Sequence, residues 1–185
     1  MIKSKPCKIC SKDGHTASFC FQRPRKAAKK HEPLPRTRKP TRASLKKEAW
    51  RVFSIYIRTR DCLKTTGTTE RGTCITCNEM KLFKQLQAGH FVGGRGNAVL
   101  FHEEIVNAQC GYCNRKPPMG LGGNYAQYAL VMIDRHGREK TEEFLNLRHA
   151  TKKYSPVDLT EVIETYKRKT QALLDKTLDK AQAVC

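Results

Sequence analysis

Two cysteine pairs with the spacing Cys-x-x-Cys stand on either side of His90: Cys74 with Cys77, and Cys110 with Cys113. Each such pair folds both sulfurs onto one side of a tight turn, and four thiolates at tetrahedral corners form a common zinc site. The alternative is two reduced pairs that never meet. Because cysteine fills all four positions, the spacing favours a structural zinc site.

Polar side chains near these pairs have the types that phosphodiester hydrolysis needs. His90 can take a proton from water, since an imidazole titrates near neutral pH. Asn114 follows Cys113 at the expected start of a helix, and its amide oxygen can ligate Mg²⁺ or Mn²⁺. Asn107 can orient the imidazole, and three other groups can supply further cation ligands: Asp61, His102 and Glu103. The simpler roles are a buried core histidine for His90 and a helix cap for Asn114.

A separate small module is expected over residues 1–22. Its four metal-ligand residues have the spacing of a CCHC zinc knuckle: Cys7, Cys10, His15 and Cys20. So short a segment cannot bury a core, so the metal would supply its folding free energy. The alternative is a basic tail in which the cysteines are incidental.

Residues 23–47 read as a linker, because four prolines interrupt any helix there. The segment carries one acidic residue, Glu32, against eleven cations, and we expect these cations to contact phosphates rather than only solvate a spacer. The predicted DNA contacts in this segment are Arg23, Arg25, Lys26, Lys29, Lys30, Arg36, Arg38, Lys39 and Arg42.

The chain of 185 residues has a hydrophobic content of 38% and a net charge of +19. That charge favours nucleic acid as the partner over an acidic membrane surface or an acidic protein. No apolar run of about 18 residues and no signal-like segment is present, which predicts a cytoplasmic protein (host cytoplasm if phage-encoded) without a membrane partner. Cysteines there stay reduced, so Cys62 and Cys185 are interpreted as free thiols.

Hydrophobic periodicity predicts helices separated by short extended segments, with Trp50 as a core anchor on the first helix. The predicted helices run from Lys46 to about Cys62, from Asn124 to Arg135, from Arg138 to Leu147, and from Asp158, where Asp158 and Glu161 would form a capping box. The core domain is therefore placed at residues 48–150 and an amphipathic C-terminal helix at 151–185. The apolar stripe of that helix predicts core packing, with a homodimer seam as the weaker alternative.

The glycine-rich segment 93–97 lacks the spacing of a phosphate-binding loop. We interpret it as a flexible loop that places Arg95 on DNA, a role also predicted for Arg115 and Lys116. An exposed loop without a ligand is the alternative for each.

The order of motifs from Trp50 to the final helix resembles the NinG/Rap recombination proteins of lambdoid phages, which are similar in turn to HNH (ββα-metal) endonucleases with four cysteines. The motifs are Cys74-x-x-Cys77, Ala88-Gly89-His90-Phe91, Phe101-His102-Glu103-Glu104, Asn107-Ala108-Gln109-Cys110-x-x-Cys113-Asn114 and Gly123-Asn124-Tyr125. The resemblance implies an α+β fold with a small zinc-stapled ββα-metal core flanked by helices. It also implies metal-dependent cleavage of branched DNA such as Holliday junctions.

In this resemblance His90 corresponds to the HNH general base and Asn114 to a metal-binding position. The NinG pattern has asparagine where this chain has Ile105 and histidine where it has Asn107, so Asn107 either takes the middle-asparagine role from a shifted position or that role is lost. Gly89 stands where HNH enzymes usually carry a metal ligand. The cation would then need Glu103, His102 or Asp61.

Two functions follow from these patterns. The first is a metal-dependent endonuclease with two structural Zn²⁺ ions and a catalytic Mg²⁺ or Mn²⁺, acting on branched or partly single-stranded DNA. The second is a noncatalytic zinc-containing protein that binds DNA or RNA. The vacant ligand position at Gly89 favours the second, while the combination of His90 and Asn114 favours the first.

Overall fold

The computed structural model describes residues 6–12, 20, 22, 39–93 and 97–182. The chain divides into two units, Met1–Arg38 and Lys39–Cys185. The predictions for Cys185, Arg95, His15 and the linker cations from Arg23 to Arg38 lie outside the described residues. Within the described part of the chain, no helix combines the length and the apolar character needed to cross a membrane.

Helix α1 spans Arg42–Thr66. The Thr41 hydroxyl caps it by accepting a hydrogen bond from the Ser44 amide at 3.2 Å. Gly67 ends it in the left-handed conformation, with φ of 71°. The helix therefore begins inside the predicted linker, and Arg42 donates from Nε to the Tyr154 carbonyl at 2.8 Å. The predicted start at Lys46 and end at Cys62 were wrong, because the polar first and last turns carry no hydrophobic signal.

The strands form two separate two-stranded antiparallel ribbons. Strand β1 (Arg71–Thr73) pairs with β2 (Met80–Leu82). Strand β3 (Leu86–His90) pairs with β4 (Val106–Cys110), so that His90 lies opposite Val106 and Gly89 opposite Asn107. A Cβ atom at Gly89 would overlap the side chain of Gln109. A side chain at position 89 would therefore have to displace Gln109.

In the described part of the chain, four helices follow the strands. The first is a single turn, α2 (Gly111–Asn114). The others are α3 (Tyr125–His136), α4 (Arg138–Asn146) and α5 (Pro156–Gln182). The predictions for α3 and α4 are confirmed to within a residue or two. Asn114, however, ends α2 and does not begin a helix, because the chain leaves the helical conformation at Arg115.

The capping box of α5 also differs from the prediction. The Ser155 amide donates to Asp158 Oδ2 at 2.8 Å, and the Asp158 amide donates to Ser155 Oγ at 3.2 Å. The predicted box between Asp158 and Glu161 was therefore wrong. Pro156 stands at the first helical position, where its missing N–H costs nothing.

The main core lies between α1, α5 and the β3–β4 ribbon. Phe53 and Ile57 of α1 and Leu159 of α5 are completely buried, and Trp50 packs against this core as predicted. The apolar stripe of α5 therefore packs on α1. Helices with two small sheets make this an α+β fold, as predicted.

Candidate functional site

The four cysteines predicted to bind zinc lie together. Their sulfurs are within 4.8 Å of one another, and the Sγ atoms of Cys77 and Cys110 are 3.9 Å apart. Tetrahedral sulfurs about 2.3 Å from a zinc ion are separated by about 3.8 Å. Cys74 follows β1, Cys110 ends β4 and Cys113 lies in α2. The donor set and its spacing therefore fit a structural zinc ion that joins both ribbons.

Hydrogen bonds favour the thiolate form of Cys74, whereas burial raises the pKa of Cys77 and of Cys110. The Cys110 amide donates to Cys74 Sγ at 3.2 Å, and the Cys113 amide donates to Cys110 Sγ at 3.4 Å. Burial raises the pKa of Cys74, but the Cys110 and Cys77 amides and the Thr76 side chain outweigh burial and lower this pKa to about 7. Cys74 is thus prepared to bind a cation at neutral pH.

A second cysteine cluster lies in the N-terminal unit. Cys7, Cys10 and Cys20 bring their sulfurs within 4.8 Å of one another. The Cys7 amide donates to the Lys12 carbonyl at 3.0 Å, which closes the turn that contains Cys7 and Cys10. Backbone hydrogen bonds at Ile9 and Cys10 lower the pKa of Cys7 to about 7. These three thiols can hold a metal ion.

His90 ends β3 and is held on two sides. Its ring stacks on Trp50, with centroids 5.0 Å apart and an angle of 16° between planes. Nε2 lies 3.3 Å from the Leu100 carbonyl oxygen. Because a carbonyl only accepts, this contact is a hydrogen bond when Nε2 carries the proton, and the lone pair is then on Nδ1. The side chain is 9% exposed, so its orientation is fixed by packing.

A cavity of about 560 Å³ brings four of the predicted residues together. His90, Asn114, Arg115 and Lys116 all line it, with Gln87 and Tyr125 beside them. The sequence predicted the first four separately, and the fold places them around one space. A histidine of fixed orientation, an amide and two cations can bind a phosphate and deliver a base to it.

Gln87 is a site residue that the sequence analysis missed. Its Oε1 accepts a hydrogen bond from Asn114 Nδ2 at 2.8 Å. The contact orients the Asn114 amide, as a neighbouring hydrogen bond does for many metal ligands. No motif marks Gln87, because its role depends on the contact between β3 and α2.

Asn107 lies on the other face of the β3–β4 ribbon from His90. Directly opposed residues of paired strands lie on the same face of the ribbon, and consecutive residues of one strand alternate between faces. Asn107 therefore lies on the same face as Gly89, while His90 lies on the other face with Val106. Asn107 donates to the Tyr128 hydroxyl at 3.1 Å and accepts from Arg60 at 3.2 Å and from Arg135 at 3.3 Å. The structure does not bring Asn107 to His90.

The three candidate cation ligands also lie outside the His90 cavity. Asp61 accepts from the Ala108 amide at 2.6 Å and from Arg60 at 2.7 Å. Glu103 accepts from the Tyr56 and Tyr166 hydroxyls and from Lys169, and joins α1 to α5. His102 packs edge-on against Phe144. Each therefore has a structural role, and the described residues that line the cavity include no carboxylate.

Comparison with known protein families gives a match over most of the chain. The sequence profile of the family described as Bacteriophage Lambda NinG protein matches residues 3–176. No curated protein and no solved structure matches the chain. The profile covers both cysteine clusters and the cavity residues. Because the match spans nearly the whole sequence, this chain belongs to the bacteriophage lambda NinG family.

Proposed function

We propose that the protein is a phage recombination endonuclease that hydrolyses phosphodiesters in branched DNA, with His90 as the general base. The observation that supports this most is the shared cavity, where the oriented imidazole meets Asn114 and two cations. The family is a phage recombination family, and a net charge of +19 suits a nucleic-acid partner.

In the proposed reaction, the His90 imidazole takes a proton from water while the water oxygen attacks phosphorus. The bond from phosphorus to the leaving deoxyribose oxygen breaks, and that oxygen gains a proton from solvent. Arg115 and Lys116 stabilise the negative charge that develops on the phosphate oxygens. Fixing the ring between Trp50 and Leu100 keeps the base in one orientation before substrate arrives.

A catalytic Mg²⁺ or Mn²⁺ fits this cavity poorly. Such ions prefer several oxygen ligands, usually including carboxylates. The described lining residues offer the amide oxygens of Asn114 and Gln87 and no carboxylate. If Asn114 ligates a cation, the DNA phosphate itself must supply the further oxygen ligands. The roles proposed for His90, Arg115 and Lys116 do not depend on that cation.

The same observation favours a second candidate function. A cavity with two cations and no carboxylate among its described residues can bind a phosphate without cutting it. The protein would then be a noncatalytic nucleic-acid-binding protein whose cysteine clusters hold two structural zinc ions. The two functions differ in whether a bond is broken, and cleavage assays separate them.

The decisive experiment uses a labelled four-way junction and a linear duplex of the same sequence. Native protein of verified zinc content is compared with His90→Ala, and each is assayed with Mg²⁺, with Mn²⁺ and without added divalent cation. His149→Ala is the matched control, because His149 is exposed and lies outside the cavity. We expect junction nicking that His90→Ala reduces at least about a hundredfold and His149→Ala leaves unchanged.

Two outcomes contradict the proposal. Absence of nicking by the native protein under every condition, with junction binding intact, would establish the binding function instead. Equal nicking by His90→Ala, with unchanged circular dichroism and zinc content, would remove His90 as the base.

Junction resolution by paired cuts also predicts a homodimer on the DNA, which analytical ultracentrifugation of the complex measures.

A further inference from the structure

The segment that begins inside the second cysteine pair and ends at the start of α3 exposes an unusual set of large side chains. We name residues 112–125 the contact loop. Four of its side chains are strongly exposed: Tyr112 at 65%, Met119 at 70%, Leu121 at 47% and Tyr125 at 45%. Large apolar side chains clustered on a surface mark a binding site more often than single exposed ones do.

Backbone hydrogen bonds join the later part of the contact loop to α2, which carries the zinc ligand Cys113. The Leu121 amide donates to the Tyr112 carbonyl at 2.9 Å, which brings these two exposed residues side by side. The Gly123 amide donates to the Cys113 carbonyl at 2.8 Å. A Cβ atom at Gly120 would overlap the Tyr112 and Arg115 carbonyls, so the chain can turn back this closely only with glycine there. The exposed side chains therefore stand on an ordered support.

The loop is also continuous with the phosphate-binding side of the cavity. Arg115, Lys116 and Tyr125 belong to the loop and line the cavity with His90. The sequence has no acidic residue between Glu104 and Asp134. Among the described residues, no carboxylate forms an ion pair with Arg115 or Lys116. This charge favours a polyanion over an apolar protein surface as the occupant.

We propose that the contact loop binds unpaired nucleotides next to the phosphate in the cavity, with Tyr112 and Met119 packing on the bases and Arg115 and Lys116 on the phosphates. Alternating aromatic groups and cations are how proteins hold single strands without reading sequence. Paired bases are stacked on each other and cannot offer these faces. The loop thereby selects DNA with unpaired bases at a branch. The inference rests on the proposed function in taking nucleic acid as the partner.

The test measures base stacking separately from cleavage. Full-length zinc-loaded protein is titrated, without Mg²⁺ or Mn²⁺, into a forked DNA carrying 2-aminopurine at an unpaired position, and into a duplex carrying it at a paired position. Stacking on an aromatic ring quenches this base. We expect quenching with the fork alone, and about tenfold weaker fork binding with less quenching for Tyr112→Ala. Tyr112→Phe should retain both, since the ring remains.

Met119→Ala should weaken fork binding in the same direction. Leu130→Ala is its matched control, because Leu130 is 62% exposed on α3 outside the loop. Equal fork and duplex affinity for the native protein would overturn the inference, as would native-like quenching by Tyr112→Ala. If Tyr112→Ala instead lost self-association with unchanged DNA binding, the loop would be a protein interface. Failure of His90-dependent cleavage alone leaves this stacking result unaffected, so the two proposals fail separately.

Discussion

Asn114 donates a hydrogen bond from Nδ2 to Gln87 Oε1 over 2.8 Å, which ties the last residue of α2 to the second residue of β3. The contact engages the amide nitrogen of Asn114 as a donor. It thereby fixes the position of the amide oxygen, which is the atom that can accept a hydrogen bond or bind a cation. It also links two elements that line the same cavity as His90.

If Asn114 holds a cation together with the DNA phosphate, Gln87→Ala should slow junction nicking about tenfold, because a loss of ligand orientation has that typical cost. Junction affinity should change little, since the cations remain. Single-turnover rates and equilibrium binding measure the two quantities. Gln127→Ala is the control, because Gln127 is exposed on α3 and does not line this cavity. A native rate for Gln87→Ala would show that Asn114 needs no such support.

The cysteine clusters predict two zinc ions per chain. Cys74→Ser should lower the zinc content by about one ion and reduce the melting temperature, because the metal joins both ribbons. Mass spectrometry of the metal and thermal unfolding measure these effects. Cys62→Ala is a suitable control: this thiol is fully buried outside both clusters, and burial raises its pKa to about 11. Unchanged zinc in Cys74→Ser would contradict the four-cysteine site.

Because of Glu103, the free energy of unfolding should decrease as the pH falls through the acidic range. Burial raises its pKa, but the ion pair with Lys169 and the hydrogen bonds from Tyr56 and Tyr166 outweigh burial and lower it below the ordinary value. A carboxylate with a lowered folded-state pKa contributes stability above its unfolded pKa of about 4.3 and loses it as pH falls through the folded pKa.

Glu103→Gln should thus destabilise the protein at pH 7 by about 1 kcal/mol, allowing for solvent screening of a partly exposed group. The difference from native protein should shrink as the pH falls below about 4. Urea unfolding at both pH values measures this. Glu104→Gln, with an exposed side chain, carries the same charge change and should have little effect. A difference that persists at low pH would point to lost packing instead.

Gly89→Ala should destabilise the protein by about 1–3 kcal/mol, because the new methyl group would overlap Gln109, which is fully buried. The double variant with Gln109→Ala should cost less than the sum of the two single changes. Gly111→Ala is the control, since its Cβ meets nothing closer than 3.4 Å. Strict additivity of the Gly89 and Gln109 changes would contradict this close packing.

The cations of the N-terminal linker, residues 23–47, should account for most of the salt dependence of DNA binding. Deleting residues 1–38 removes most of the linker cations and leaves Thr41, the cap of α1, in place. The slope of log affinity against log salt should become clearly shallower, because fewer counterions are released. Fluorescence anisotropy over a salt series measures the slope. An unchanged slope would assign the phosphate contacts to the larger unit.

The sequence predicted the elements that have strong periodicity or fixed spacing. The cysteine pairs specify their site because Cys-x-x-Cys turns are local, and the apolar stripe on α1 places Trp50 in the core. It also identified His90, Asn114, Arg115 and Lys116, although only the fold shows that they share a cavity.

The remaining features depend on strand pairing, which periodicity does not report. The face occupied by Asn107 follows from its pairing with Gly89. Asp61 and Glu103 look like free carboxylates in the sequence, yet each is bound to partners more than forty positions away. The role of Gln87 could be recognised only once the position of α2 next to β3 was known. These are long-range contacts, and no local motif encodes them.

The four-cysteine site has a consequence for the direction in which His90 points. Strand β4 ends at Cys110, whose amide and sulfur are both held in that site. A slip of one residue between β3 and β4 would exchange the faces of the ribbon and turn His90 toward the side of Asn107. By anchoring one end of β4, bound zinc opposes this slip. Bound zinc would thereby help to hold His90 in the orientation that lines the cavity.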